Sequence, residues 1–356
     1  SSGDVMAESE INKPLFTAAL NGTSLPSKEI RIEQSTYGQA DVIYSTIVCS
    51  KATEDYGAVS QSGKYLPLTI QAGMVGGSVE QVQYAYLDEI NTDYALDEIE
   101  FSARGLLSVL LDTKISLKAS LNVDVTTAIS NVITNLGMQA NVNNGQPSGI
   151  DAGNLLVNDF STMTKNIKAM DYINLLAFGV GWRPRVQGNV IIVGPPPYSA
   201  PVLSKSVAKG GLIKCNVKHS ALHAHDISVR VVSYVPNHKT RVVATAGTTG
   251  QGGDTTDEQY VFSIPGLDQN SANYRATQIQ AELSRHEFIL EMEFALDSYT
   301  LPFLVKNSPE FQIQLEDASQ ESHNQLYTPR RVNWYWDQDK GGYINIVAVN
   351  HAEPQG

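Results

Sequence analysis

The chain has 356 residues, 42% of them hydrophobic, and 37 Asp and Glu against 25 Lys and Arg give a formal net charge of −12. That length accommodates two or three domains with cores of their own, while the acid excess argues against sequence-specific DNA binding, which needs clustered cations against phosphates. Cys49 and Cys215 are too few for a disulfide framework or a cysteine zinc site, and no apolar run approaches the ~20 residues of a membrane-spanning helix.

The opening "SSGDVMAESEINKP" is polar and lacks the apolar core of a secretory leader, so residues 1–13 read as a flexible tail. Residues 14–100 read as strands joined by turns. Asn21-Gly22 is a strong hairpin signal. Ile30 and Ile32 alternate with polar neighbours, and the alternation breaks near Gly38 and resumes through Val42, Tyr44, Thr46 and Val48. No helical period extends past two turns. A small antiparallel β-barrel is the expected form.

At residue 102 the period changes. Ala103, Leu106, Leu107, Leu110 and Leu111 recur on one helix face, with Ser102 as the expected N-cap. Val125, Ile129, Val132, Ile133 and Leu136 predict a second helix, capped by Asp124 and ended by Gly137. A third is predicted from Ile167 to Phe178, with Met170, Ile173, Leu176 and Ala177 on one side and closure at Gly179 and Gly181. "WRPRVQGNVIIVG" then reads as a hairpin turning at Gly188-Asn189. Residues 101–197 are therefore expected to form an α/β module between two β regions.

"GPPPYSAP" reads as a stiff linker, because consecutive prolines cannot donate to a ladder. Residues 198–356 are expected to form a second small antiparallel β-barrel. Its Gly/Thr-rich stretch 245–259 is an exposed loop, and its one helix spans 271–285, with Ala272, Ala276, Ile279 and Leu283 inward. "FILEMEFAL", "EFQIQLED", "RRVNWYWD" and "YINIVAVN" follow as strands, the last two joined by a turn around Asp339-Lys340-Gly341-Gly342.

Four groups of residues invite a chemical reading. His219, His223 and His225 lie just before the strand "DISVRVVSYV", and H-x-H is a zinc-ligand spacing. The H-x-H pattern of barrel-type amidohydrolases, however, needs later βα units, and the strand-rich remainder cannot supply them. The histidines read instead as hairpin residues, and the question they leave is whether they form a pH-sensitive contact between subunits. Asp88, Glu89, Asp93, Asp97, Glu98 and Glu100 could supply a glycosidase pair, but read more simply as a solvated anionic edge. Trp334, Tyr335 and Trp336 place both tryptophans with Val332 on one face, as a sheet core, a subunit interface or a sugar platform. "GMVGGS", residues 73–78, precedes no helix and reads as a turn. Phosphate-binding loops and nucleophile elbows are lacking. No catalytic, cofactor-binding or metal-ligating residue is assigned.

The order of the pieces carries a resemblance. "FSARGLLSVLLDTKI", "AMDYINLLAFGVGWRPRVQGNVIIVGPPP", "DISVRVVSY" and "SIPGLDQNSANYRATQIQAELSRHEF", followed by an aromatic hairpin, resemble in sequence the late control D family of baseplate hub proteins in contractile phage tails. The base of the type VI secretion spike shares that architecture. The resemblance runs from about Pro14 to Val349 and rests on Ala103–Leu111, Ala169–Val193, Asp226–Tyr234 and Ser271–Arg285. It departs at Arg104, which Gly105 follows in place of an acid, and at Trp334–Trp336, where a histidine is usual. It implies a non-enzymatic virion component made in the bacterial cytoplasm. Three copies would close a ring of pseudo-six-fold symmetry between a tail tube protein and a spike protein, with wedge and tape-measure proteins as further partners. DNA would pass without specific binding, and no stable membrane association is implied. The alternatives are a component of another contractile injection system and a tail-associated carbohydrate-binding or glycan-hydrolysing protein.

Overall fold

A computed structural model describes residues 13–37, 40–50, 66–115, 123–142, 166–195, 200–219, 228–235, 240–247, 259–283 and 288–350. Residues 196–199 of the expected linker, most of the Gly/Thr-rich stretch, the N-terminal tail up to residue 12, and His223 and His225 lie outside the described residues.

The N-terminal strands are β1 (Pro14–Leu20), β2 (Thr23–Leu25), β3 (Ser27–Tyr37), β4 (Ala40–Ser50), β5 (Pro67–Met74), β6 (Val79–Asp93) and β7 (Glu98–Gly105). Asn21 and Gly22, at φ 49° and 82°, make the tight turn that joins β1 to β2, as Asn-Gly does when both central residues need positive φ. Alternation does the rest. Along β1 every second residue is buried, from Pro14 to Leu20, and Ile30, Ile32, Ile47 and Phe101 lie on the same inward side of their strands.

The middle of the chain holds α1 (Leu107–Asp112), β8 (Lys114–Ile115), α2 (Val125–Asn135), β9 (Gln139–Val142), β10 (Ile167–Lys168), α3 (Ala169–Val180), β11 (Arg183–Gln187) and β12 (Val190–Gly194). Asp124 caps α2 by accepting from the Thr127 amide at 2.9 Å, and Gly137 follows the helix at φ 77°. Gly181 closes α3 in the left-handed region at φ 76°. Strands β11, β12 and β9 form a small sheet, and β8 pairs with β10 beside it.

The C-terminal elements are β13 (Val202–Ser206), β14 (Leu212–His219), β15 (Ser228–Val235), β16 (Thr240–Ala246), β17 (Gln259–Ser263), α4 (Gln269–Leu283), β18 (Phe288–Ala295), α5 (Thr300–Asn307), β19 (Gln312–Glu316), β20 (Leu326–Asp337) and β21 (Gly341–Asn350). The chain is mainly β, with few helices.

Two closed barrels were expected; no closed barrel is found among the described residues. A single 13-stranded sheet runs β14-β18-β21-β20-β3-β4-β7-β6-β5-β1-β2, with β19 branching from β20 and β13 from β19. The reason lies in β20. A register shift between Pro329 and Arg331 interrupts its ladder with β21, as a bulge does. Its start pairs with β19 at Tyr327, and its remainder pairs with β3 from Arg331 to Asp337. One strand thus serves both β regions, and the sheet continues instead of closing.

The helix expected from Ala103 is shorter than its period suggests. Residues 98–105 are strand β7, and Ala103 faces the long-sheet core beside Phe101. Leu106, and not Ser102, precedes α1. Packing also cuts across the segments read from sequence. One core joins β1–β7 to β18–β21 and α5. The other joins α1–α4 and β12 to β15 and β16. The strand containing Val229 and Val231 therefore belongs to a three-stranded sheet, β16-β15-β17, that packs with the helices, and not to the long sheet.

Candidate interaction surface

The long sheet has one dry face and one wet face. Inward lie Trp334 and Trp336, whose indole N–H groups still need partners. Trp334 Nε1 donates to Gln34 Oε1 at 2.9 Å, and Trp336 Nε1 donates to the Pro14 carbonyl at 2.9 Å. Ser308 Oγ, just after α5, donates to the same Gln34 oxygen at 2.6 Å. Phe16 packs on both indoles, edge-on to Trp334 and stacked on Trp336. The tryptophans are therefore sheet core, not a sugar platform. Tyr335 points the other way and stacks on Tyr343 with ring centroids 4.8 Å apart.

The outward face carries charge in cross-strand register. Lys214, Glu293, Asn345, Asn333, Glu33, Tyr44 and Arg104 follow one another across seven strands. Tyr343, Tyr335 and Arg31 do the same one row along. Lys214 pairs with Glu291 at 2.7 Å, and Lys28 with Glu98 at 3.2 Å. Such exposed pairs contribute little stability, so the face is built for solvent or for a partner.

The acids of the "LDEINTDYALDEIE" stretch are spread over β6, the β6–β7 turn and β7. Arg104 forks between Asp88 and Asp112, which raise its pKa further above the usual arginine value. The Gly105 departure from an Arg-acid pair is thus met by acids from β6 and α1. Asp93 holds the β6–β7 turn, its Oδ1 accepting from the Ala95 and Leu96 amides at 2.8 and 3.0 Å. Asp97 takes φ 56° there. Glu98 and Glu100 lie on the outward face of β7.

His219 ends β14 and stacks on Phe288 at 4.8 Å, and Phe288 in turn meets His323 edge-on at 5.4 Å. No group of three or more His, Cys, Asp or Glu among the described residues is placed to hold a metal. Burial pushes the Cys49 thiol up to about 11, so it is uncharged at neutral pH. "GMVGGS" is the β5–β6 turn, with the Gly77 amide donating to the Met74 carbonyl at 2.9 Å. No helix among the described residues is long and apolar enough to cross a membrane. Sequence reading missed α5 and the separate sheet β16-β15-β17.

No family model matches the chain, and no curated protein sequence matches it. Solved structures do. The tail protein of Neisseria meningitidis MC58 is similar with a TM-score of 0.66 over 95% of this chain and 97% of that one, at 10% identity. The 43 kDa tail protein of prophage MuSo2 from Shewanella oneidensis gives 0.62 over 95% and 97%, at 12% identity. This is the fold of solved phage tail proteins. A third structure with the tail-protein fold, a component of the E. coli type VI secretion system described as similar to the T4 bacteriophage tail proteins gp27 and gp5, gives 0.54 over 95% of this chain and 78% of that one, at 10% identity.

These likenesses correct the resemblance read from sequence. No late control D model matches, and the similarity is to these tail proteins and the type VI component, not specifically to a late control D hub. One of the segments that carried the resemblance, Ala103–Leu111, is also not a single helix but the end of β7 followed by α1.

Proposed function

We propose that this chain is a structural, non-enzymatic component of a phage tail, seated at its baseplate. The observation that carries the reading is the extent of the tail-protein fold, which accounts for 95% of the chain and almost all of two solved tail proteins.

In this reading three copies close a ring of pseudo-six-fold symmetry that joins the tail tube protein above to the spike protein below. The two β regions of each chain, joined through strand β20, would supply the two units per copy that pseudo-six-fold symmetry needs. Wedge and tape-measure proteins are the neighbouring partners, and the protein belongs to the virion. The acids outward on the long sheet, among them Glu33, Glu100 and Glu293, and the net charge of −12 favour a ring that lets DNA slide past without holding it. Work is done by complementary surfaces, and no bond is made or broken. The likeness to a type VI component favours a second reading, the same role in another contractile injection system.

The test is the mass and shape of the particle. Light scattering and negative-stain images are taken of the chain alone and with its tube and spike proteins. Three-fold rings, and the chain's presence in purified tails, support the reading. A monomer under both conditions, absent from purified tails, overturns it.

A further inference from the structure

The three-stranded sheet β16-β15-β17 has one covered face and one bare face. Val229 and Val231 of β15 are 0% exposed against the helices. The intervening residues point away from that core. Register sets Val232 beside Val243, Tyr234 beside Arg241, and Arg230 beside Val261. Tyr234 is 52% exposed and Val261 60%. Among the described residues of the three strands there is no Asp or Glu, although the whole chain carries a net charge of −12. This is a cationic, apolar face on an acidic protein.

The β6–β7 turn offers the opposite chemistry. Tyr94 and Leu96 are 79% and 66% exposed, and Asp93, Asp97 and Glu98 flank them. The turn is ordered in advance by the Asp93 carboxylate on the Ala95 and Leu96 amides, so little entropy is lost when it docks. Within one chain Tyr94 and Leu96 on the turn and Tyr234, Arg241 and Val261 on the sheet are exposed, Arg230, Val232 and Val243 are half-buried, and Glu98 pairs with Lys28.

We infer that the acidic, apolar β6–β7 turn of one copy seats on the cationic outer face of β16-β15-β17 in the next copy. Leu96 and Tyr94 cover Val232, Val243 and Val261, and Arg230 and Arg241 meet the turn's carboxylates. The two patches differ, so the contact is head-to-tail, the type that generates rings when the rotation closes. This inference rests on the ring reading above and names the surfaces that would form it.

Disulfide capture between two variants tests it. Leu96→Cys and Val261→Cys are each made in full-length protein with Cys215→Ser, mixed and oxidised. Leu96→Cys mixed with Ile213→Cys, which is 60% exposed on the distant strand β14, is the control. A reducible species of twice the chain mass, formed faster than in the control and slowed by salt or by Arg230→Glu with Arg241→Glu, is the expected result. Capture no faster than the control overturns the inference. If light scattering shows a ring in that case, only the assignment of surfaces fails. If the chain is also monomeric with its tube and spike proteins, the ring reading fails with it.

Discussion

The two cores are built in opposite ways. The long-sheet core draws Phe16, Ile47 and Phe101 from one end of the chain and Met292, Trp334 and Ile346 from the other. Its order is set by register between strands up to about 300 residues apart, as Trp334 on Gln34 shows. The second core draws on the middle of the chain, and helices α1–α4 supply much of it beside β12, β15 and β16, with α2 and α4 started by capping aspartates. Non-local pairing must be complete before it is stable, whereas a capped helix can loosen by itself. Damage to the first core should therefore be global, and damage to the second more local.

The sharpest way to break that contrast is Trp334→Ala. The side chain is 1% exposed, packs on Phe16 and anchors β20 to β3 through Gln34. Emptying such a site costs about 3–5 kcal/mol. Chemical denaturation should show one transition at much lower denaturant, with both cores lost together. Trp334→Phe keeps much of the volume and removes the N–H donor, so it should fall between the two. If α3 and α4 retain their amide protection in Trp334→Ala, the cores are independent and the comparison changes.

Arg275→Ala is the matching test of the second core. The Arg275 guanidinium is 3% exposed, donates from Nε to the Phe178 carbonyl at 2.8 Å, and lies over the Phe178 ring at 4.5 Å. It places a cation on the C-terminal carbonyls of α3, where the helix dipole favours one. Burial lowers its pKa from the usual arginine value. The Gly181 amide also donates to that carbonyl, at 3.2 Å, so the substitution removes a charged hydrogen bond and buried packing and should cost about 1–3 kcal/mol. Hydrogen exchange should quicken first at the end of α3 and along α4, with the long sheet little changed.

These two sites also mark what could be read from sequence. Asn21-Gly22, Asp124, Gly137, Gly181 and Gly188 were legible because each meets a local backbone requirement that only a few residue types satisfy. Trp334 was legible as half of an inward face. Partner choice was not. Gln34 has no pattern that announces a buried acceptor for an indole, and Arg275 looks like an ordinary helix-surface arginine. Ala103 fell into a helical period by chance, because the last core residues of β7 and the first of α1 are spaced as one face would be. Helix α5 was hidden in strand-like surroundings, although Asp297 accepts from the Thr300 amide at 2.7 Å as a cap would. Its signal, a cap residue followed by Pro302 near the start, was present in "LDSYTLPFLVKN". The acids of β6 and β7, read as an anionic edge, lie on interior strands of the long sheet. The bare face of β16-β15-β17 was invisible, because alternation in one strand does not say which side another layer will cover.

A smaller effect is expected at the helix starts. Asp268 accepts from the Ser271 amide at 2.7 Å at the beginning of α4. Asp268→Ala should cost about 1 kcal/mol. Backbone hydrogen bonding from Ser271 holds this carboxyl below its usual 3.8. A depressed folded pKa contributes stability that is fully present above 3.8 and fades as pH falls through the folded value. Acid titration of stability should therefore be shallower in Asp268→Ala over that window, and an unchanged slope would show that the cap is not charged-state dependent.

The smallest effect belongs on the outward face of the long sheet, where the contrast with the dry face is most direct. Glu291 accepts from Lys214 at 2.7 Å, and this hydrogen bond is the main reason its pKa is lowered. Both side chains keep a third or more of their surface in water, 48% for Lys214 and 35% for Glu291, so screening removes most of the pair's Coulomb energy. Glu291→Gln should change stability by no more than about 0.5 kcal/mol, and the difference should shrink as salt is added. Trp334 and Glu291 stand on strands of the same sheet, pointing to opposite sides, and their substitutions should differ several-fold in cost. If Glu291→Gln instead weakened assembly with tube or spike protein while leaving the isolated chain unchanged, the outward charges would be serving a partner and not the fold.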